Sequence, residues 1–152
     1  MDSANSIVSR ARIIQVGDSL GTSLLNLSLQ RLIMVAGANR DFALAHSDNT
    51  VARWGGAPAA YADVIFVFTM VERLIMQWAG PKARIKKFGP LKIMDFLIAG
   101  FDVIASGDVE QVQPCTGPDG AEWVEVVAKI ELTQSNGRKG VSGVATILVP
   151  TV

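Results

Sequence analysis

The segment of residues 61–81 constrains the fold of this chain more than any other. It has the length of one helix, with Asp63 placed to accept hydrogen bonds from the first-turn amides and Gly80 and Pro81 placed to end it. Most of its residues are apolar, namely Val64, Ile65, Phe66, Val67, Phe68, Met70, Val71, Leu74, Ile75, Met76 and Trp78. Its polar residues share one narrow stripe, formed by Thr69, Glu72, Arg73 and Gln77. Such a helix must be covered over most of its circumference, so we expect a wide element of the chain to wrap around it.

The second half of the chain alternates with the period of two that is typical of β-strands. The predicted strands span residues 83–93, 102–112, 122–133 and 141–149. Gly89 with Pro90 and, further on, Gly107 are bulge signals within them. Asn136 followed by Gly137 is typical of a hairpin turn. We therefore expect about four antiparallel strands after the helix.

The first part of the chain contains shorter elements. Alternating leucines predict a half-buried strand over residues 22–29, and a short helix over residues 30–38 follows it. Residues 39–48 form a loop, after which Asn49 is placed to cap a short helix over residues 50–54. The order is one strand, short helices, one long helix and then a meander of strands.

This order predicts an α+β fold in which an antiparallel sheet wraps around one long central helix, the hot dog fold. A β-sandwich is the weaker alternative, because it has no place for a nearly all-apolar helix. At 152 residues, the chain is predicted to form one domain over residues 1–152.

The composition bears on the partners of the protein. Hydrophobic residues make up 49% of the chain, which is high for a soluble monomer, and the predicted sheet has open edges. We therefore expect a homodimer or higher oligomer whose sheets join edge to edge. Lys and Arg number 14 and so do Asp and Glu, so no basic field exists to attract nucleic acid or anionic lipid.

Other features of the sequence concern the compartment and cofactors. The start, residues 1–10, lacks the basic and apolar blocks of a signal peptide, and the apolar run before Glu72 is far shorter than the ~20 residues of a membrane span. The lone Cys115 excludes an internal disulfide and suits a reducing cytosol, so we expect a cytoplasmic protein. One His and one Cys form no metal-ligand set, and no dinucleotide or phosphate-loop motif is present. We expect neither metal nor cofactor.

The only histidine, His46, lies in the loop before the short helix, between Asp41 and Asp48. A histidine exchanges protons near neutral pH, and a nearby carboxylate can hold its ring or share the proton transfer. From spacing alone, a loop histidine held in a structural role by an Asp is the commoner interpretation. Acid–base catalysis by the pair is the alternative.

The same loop resembles a known motif. Residues 41–48 resemble the D-x-N-P-I-H-x-D motif of MaoC-like, (R)-specific enoyl-CoA hydratases. Asp41, His46 and Asp48 match in register, and Ala52 falls where that family often has Ala.

Further segments extend the resemblance over nearly the whole chain. Residues 16–18 are similar to the early v-G-D turn of the family, and residues 35–38 to its y-A-G-a run. Residues 78–81 resemble the W-x-G-P end of its central helix, and residues 140–150 its last strand.

The resemblance implies a function. Such enzymes interconvert trans-2-enoyl and (R)-3-hydroxyacyl thioesters without metal or redox cofactor. We expect an acyl-CoA substrate here, and an acyl carrier protein in place of coenzyme A stays open. Asp41 and His46 would activate the water that adds to the β-carbon and supply the proton to the α-carbon. Residues Ala62, Asp63 and Val64, at the start of the central helix, would form the oxyanion site, where a backbone amide and the helix dipole stabilise the thioester oxygen.

The chain also departs from the family pattern. Ala43 and Leu44 replace the family's Asn-Pro, and Tyr61, Ala62 and Asp63 stand where its central helix commonly opens with H-G-M. An Asp there would place negative charge beside the oxyanion. Two alternatives therefore stay open: a non-catalytic acyl-CoA-binding or partner subunit of a heteromeric hydratase, and a hot dog thioesterase.

Two other groups of residues have competing interpretations. Trp54 and Trp78 are predicted to be packing residues rather than ligand-stacking ones. A small basic cluster is either a solvated strand edge or a contact for the phosphates of coenzyme A. It consists of Lys82, Arg84, Lys86 and Lys87.

Overall fold

A computed structural model describes residues 13–151 of the chain. The prediction about a signal peptide concerns residues 1–10 and lies outside the described residues. The elements are β1 (Ser19–Asn26), α1 (Leu29–Asn39), a 3-10 turn (Leu44–His46), α2 (Asn49–Trp54), α3 (Val64–Ala79), β2 (Arg84–Ile93), β3 (Asp102–Thr116), β4 (Glu122–Gln134) and β5 (Lys139–Pro150).

The five strands form one antiparallel sheet in the order β1-β3-β4-β5-β2. The long strands β3, β4 and β5 occupy its centre, and β1 and β2 are its edges. The inner face of the sheet and the buried side of α3 belong to one hydrophobic cluster. This arrangement confirms the predicted α+β hot dog fold.

Helix α3 begins and ends as the sequence predicts. The Asp63 side chain accepts a hydrogen bond from the Phe66 amide at 2.7 Å, and Gly80 follows the helix with a φ of 87°. The buried side consists of Phe66, Val67, Met70, Val71, Leu74, Ile75 and Trp78. No helix within residues 13–151 is long and apolar enough to cross a bilayer.

The other side of α3 is not covered as expected. Val64, Ile65 and Phe68 are exposed, and they lie on the same side as the polar stripe. The prediction that α3 is covered over most of its circumference is therefore wrong within a single chain. The reason is that a single sheet layer reaches only one side of the helix, so three apolar side chains remain beside the edge strand β2, where the Phe68 ring lies 5.3 Å from that of Phe88.

Some predicted boundaries and bulges differ. Strand β1 ends at Asn26 because the Ser28 side chain caps α1, accepting from the Arg31 amide at 3.1 Å. The bulge in β3 lies between Val109 and Gln111 rather than at Gly107. Gly107 is needed for another reason, since a Cβ there would lie 2.5 Å from the carbonyl oxygen of Lys129 on β4.

Two predictions around α2 are wrong. Asp48, not Asn49, caps this helix, accepting from the amides of Thr50 at 2.6 Å and Val51 at 3.1 Å. Asn49 instead accepts from the Ala60 amide at 2.9 Å and so ties the helix to the segment before α3. Trp54 is 80% exposed, because α2 is a short surface helix, whereas Trp78 is buried as predicted.

Candidate active site

The loop that carries the acid–base pair is fixed by its own hydrogen bonds. Helix α1 ends at Asn39, its C-cap Arg40 has a left-handed φ of 57°, and the Asp41 amide donates to the carbonyl of Ala36 at 2.9 Å. The Asp41 carboxylate accepts from the Ala43 amide at 3.1 Å, and the 3-10 turn that follows ends at His46. The sharp reversal after α1 therefore brings Asp41 and His46 to the same place.

The imidazole of His46 is held in one tautomer. Its Nδ1 lies 2.8 Å from the carbonyl oxygen of Tyr61. A carbonyl can only accept, so the neutral ring carries its proton on Nδ1, and Nε2 is left as the acceptor. Nε2 lies 3.6 Å from Oδ2 of Asp41, a distance too long for a hydrogen bond. The His46 side chain is 13% exposed and that of Asp41 is 34% exposed.

These two side chains line a cavity of about 380 Å³, a volume within the range of small-molecule sites. Its walls are mostly apolar and are formed by Asp41, His46, Tyr61, Ala62, Val64, Ile65, Val67, Ile93, Asp95, Phe96, Leu97 and Val141. The structure thus brings Asp41, His46, Ala62 and Val64, four of the predicted site residues, to one cavity. Within the described part of the chain, no three His, Cys, Asp or Glu side chains are grouped so that they could hold a metal ion.

The start of α3 borders this cavity, whose lining includes Ala62, Val64 and Ile65. The Ala62 amide is already bound to the carbonyl of Leu97 at 2.9 Å. Among residues 13–151, the amides of Val64 and Ile65 have no acceptor in the protein. They belong to the first turn, where amides have no partner inside the helix and where the helix dipole is positive. Of the predicted oxyanion segment, it is therefore the Val64 end that offers donors.

Asp63 caps α3 as predicted, but it does not line the cavity with Ala62 and Val64, the other residues of the predicted oxyanion segment. The residue is 3% exposed, and its carboxylate accepts from the Phe66 amide at 2.7 Å and from the Asn39 amide group at 3.2 Å. The structure therefore places Asp63 beside the cavity as a helix cap. Neither of its hydrogen-bond partners, the Phe66 amide and the Asn39 amide group, belongs to a residue that lines the cavity.

Sequence reasoning missed the loop that closes the cavity on the sheet side. Asp95 binds Arg138, with 2.6 Å between Oδ2 and Nε, and accepts from the Phe96 amide. Gln134, which is 1% exposed, donates to the carbonyl of Phe96 at 2.8 Å and accepts from the Ile98 amide at 3.0 Å. A signal for Gln134 was present, because it continues the inward-facing series of β4 as a polar residue among apolar ones.

The basic cluster lies away from this cavity. Its residues surround the first part of β2, whereas Ile93, at the other end of that strand, lines the cavity. A strand rises ~3.3 Å per residue, so Lys86 is roughly 20 Å from Ile93 and the cavity that Ile93 lines. Lys86 forms an ion pair with Glu125. In the single chain, the geometry favours the solvated strand edge over a contact with the phosphates of the ligand.

No protein-family model and no curated protein matches the sequence. Solved structures do match. A chain of the ChsH1-ChsH2 complex from Mycobacterium tuberculosis has a TM-score of 0.79 and 24% identity, over 90% of this chain and 99% of that one. The (R)-hydratase PhaJ1 from Pseudomonas aeruginosa has a TM-score of 0.77 and 18% identity, over 91% of this chain and 84% of that one. A MaoC-like dehydratase from Rhodospirillum rubrum has a TM-score of 0.76 and 17% identity, over 91% of this chain and 94% of that one.

These neighbours cover almost the whole chain at low identity, which establishes the fold. The protein has the hot dog fold of MaoC-like dehydratases and (R)-hydratases. The structural similarity therefore shows the fold that the resemblance of the loop motif implies.

Proposed function

We propose that this protein is a hydratase/dehydratase that interconverts trans-2-enoyl and (R)-3-hydroxyacyl thioesters of coenzyme A. One observation carries the proposal: Nε2 of His46 and Oδ2 of Asp41, 3.6 Å apart, line the same apolar cavity as the start of α3. A proton acceptor, a carboxylate and unpartnered amides are the groups that addition of water to an enoyl thioester requires.

In hydration, the two side chains hold one water molecule, because neither is engaged by the other. The neutral Nε2 of His46 takes a proton from this water while its oxygen forms a bond to the β-carbon. The Asp41 carboxylate stabilises the imidazolium that results. The electron pair of the double bond moves towards the thioester oxygen, where the amides of Val64 and Ile65 stabilise the negative charge. The proton then passes to the α-carbon, and dehydration is the same path in reverse.

The walls of the cavity favour an acyl chain. Apart from Asp41, His46 and Asp95, the lining side chains are apolar or aromatic. Asp95 forms an ion pair with Arg138, so Asp41 is the carboxylate of the cavity that no Lys or Arg neutralises within residues 13–151. An alkyl chain bound there loses its contact with water, and the reacting carbons lie at the polar end of the cavity.

We propose that the protein acts as a dimer. The exposed Val64, Ile65 and Phe68 lie beside the open edge strand β2, and Ile93 at the end of that strand is exposed as well. Joining two β2 edges would pair their backbone groups, and the apolar side chains would be covered at the same time. Light scattering on the protein as it elutes from a size-exclusion column tests the dimer. We expect a mass near twice 16.2 kDa, and a mass near 16.2 kDa would contradict the proposal.

The activity is tested with crotonyl-CoA and longer enoyl-CoA thioesters. We expect the absorbance of the conjugated enoyl group to fall as the 3-hydroxyacyl product forms. We expect no release of free thiol. Thiol released from a saturated acyl-CoA would support the thioesterase alternative instead. Absence of turnover with every enoyl thioester would contradict the proposal.

The second candidate is a non-catalytic acyl-CoA-binding or partner subunit of a heteromeric hydratase. Two observations favour it: Ala43 and Leu44 replace the motif's Asn-Pro, and one structural neighbour is a chain of a two-component complex. Calorimetry separates the candidates, because this one predicts that acyl-CoA binds without turnover in the protein alone.

A further inference from the structure

A second cavity, of about 510 Å³, lies between α1 and α3. It shares no lining residue with the candidate active site. Leu25 and Ser28 complete the walls, to which α1 contributes Gln30, Arg31, Met34 and Val35, and α3 contributes Phe66, Thr69, Met70 and Arg73. We call it the α1–α3 groove.

The floor of this groove is apolar and its charge is of one sign. Leu25, Val35, Phe66 and Met70 supply the apolar surface, and no Asp or Glu lines the groove. Leu25 and Val35 are only partly buried, so this apolar surface stays accessible to a ligand.

The cations of the groove come from two different helices. Arg31 is on α1 and donates through Nη1 to the carbonyl of Asn26 at 2.5 Å, which holds its side chain in place. Arg73 is on α3. Within residues 13–151, neither guanidinium forms an ion pair with a carboxylate. Two arginines without acidic partners beside an apolar surface are complementary to an anionic group that carries a hydrocarbon chain.

The groove also deepens towards the sheet. A small void of about 10 Å³ shares Leu25, Met70 and Arg73 with it and extends to Ser23 and Ala105. These last two residues face each other across the pairing of β1 with β3. Two small side chains opposite each other leave this void, which is only about the size of one water molecule, so a bound hydrocarbon chain would lie on the wider apolar surface of the groove.

We infer that the α1–α3 groove is a binding site for an unbranched fatty carboxylate, separate from the acid–base cavity. The hydrocarbon chain lies on the apolar floor, and Arg31 and Arg73 bind the carboxylate from two sides. Planar guanidinium groups bind carboxylates through paired, charge-assisted hydrogen bonds, which also select the anion over a neutral alcohol of the same length. The inference stands on the groove alone and is independent of the proposed hydratase activity.

The test is calorimetric titration of the full-length protein with decanoate, with decanol as the neutral comparator. The double variant Arg31→Met/Arg73→Met should weaken decanoate binding by about tenfold or more, because Met keeps the apolar stem and removes the charge. Arg84→Met, an arginine at the start of β2 outside the groove, is the matched control and should leave the affinity within about twofold. The single variant Arg73→Met removes no hydrogen bond of the structure and keeps the test valid if the double variant folds poorly.

The outcomes are separable. No binding of decanoate, or equal affinity for decanoate and decanol, would overturn the inference. An affinity that Arg73→Met leaves unchanged would overturn it as well. His46→Gln should bind decanoate with the affinity of the wild type. If His46→Gln lost as much decanoate affinity as the arginine variants, decanoate would be binding in the acid–base cavity, and the groove would not be its site.

Discussion

The Nδ1 atom of His46 lies 2.8 Å from the backbone carbonyl oxygen of Tyr61. Tyr61 comes two residues before the cap of α3, so one short segment orients the imidazole and also leads into the first amides of the helix. The segment is itself tied to the sheet side of the cavity, since the Ala62 amide donates to Leu97. The proton acceptor and the candidate oxyanion donors therefore have a fixed relative position, which is what stabilisation of a developing charge requires.

This geometry predicts the effect of His46→Gln. The variant keeps a side chain that can hydrogen-bond to the Tyr61 carbonyl but loses the proton acceptor, so kcat/KM for enoyl-CoA hydration should fall by about 10²–10⁴-fold. The neighbouring Ser47→Ala, whose hydroxyl only contacts the Leu44 carbonyl, is the control and should keep nearly full activity. Circular dichroism checks that both variants are folded, and a folded His46→Gln with full activity would contradict the role of the imidazole.

Asp63 is predicted to act on stability rather than on chemistry. Asp63→Ala removes the cap of α3 and leaves the partly buried Asn39 amide group without its acceptor, so the free energy of unfolding should fall by about 1–3 kcal/mol. Asp63→Asn keeps an acceptor for the helix amide and should lose less. Urea denaturation measures both. If Asp63→Ala were as stable as the wild type, the assignment of the carboxylate as a buried cap would be wrong.

Gln134 is predicted to hold the loop that closes the cavity. In Gln134→Leu, the buried Ile98 amide and the partly exposed Phe96 carbonyl both lose their partner, and an unsatisfied buried group such as this amide costs about 1–3 kcal/mol. Gln113→Leu is the matched control, since Gln113 is exposed on β3 and makes one side-chain contact to Glu125. Chemical denaturation should show a large loss for the first variant and a small one for the second; equal losses would contradict this role of Gln134.

The pair of Lys86 and Glu125 predicts a dependence of stability on pH. The hydrogen bond from Lys86 holds the pKa of Glu125 below its ordinary range. A carboxyl group with a lowered pKa in the folded state stabilises the protein above its unfolded pKa, and this contribution is lost as the pH falls through the folded pKa. Glu125→Gln should therefore be less stable than the wild type at neutral pH and approach it under acid conditions.

Denaturation curves at a series of pH values measure this difference. Glu110→Gln, an exposed glutamate of β3, serves as the control and should follow the wild type throughout. A constant difference between Glu125→Gln and the wild type at all pH values would show that the ion pair is not its source.

Local patterns predicted the helix and the strands because their determinants are local. The cap at Asp63 and the glycine at position 80 act within a few residues, and the alternation along β4 is visible in the sequence alone. The exposed side of α3 was not predictable in this way, because the hydrophobicity of a helix does not tell which chain covers it. Trp54 was misassigned for the same reason, since burial of a tryptophan depends on elements that lie far away in the sequence.

The site was predictable only in part. Asp41 and His46 come from one loop, so their spacing carried the information that they meet. The contributions of Asp95 and Gln134 join segments that are about 40 residues apart in the chain, and a pattern read over a short window does not contain such contacts. Sequence reasoning therefore found the groups from the loop and the helix start but missed those from the sheet.

The central claim, that Asp41 works with His46 on the proton of a water molecule, is tested most directly by comparing two aspartates of the same loop. Asp41→Asn keeps an oxygen that can accept from the Ala43 amide but loses the carboxylate, whereas Asp48→Asn keeps the cap of α2 and does not line the cavity. Hydration of crotonyl-CoA by Asp41→Asn should fall by about 10²-fold or more, and Asp48→Asn should remain close to the wild type. An active wild type in which both variants retain the same rate would contradict the account.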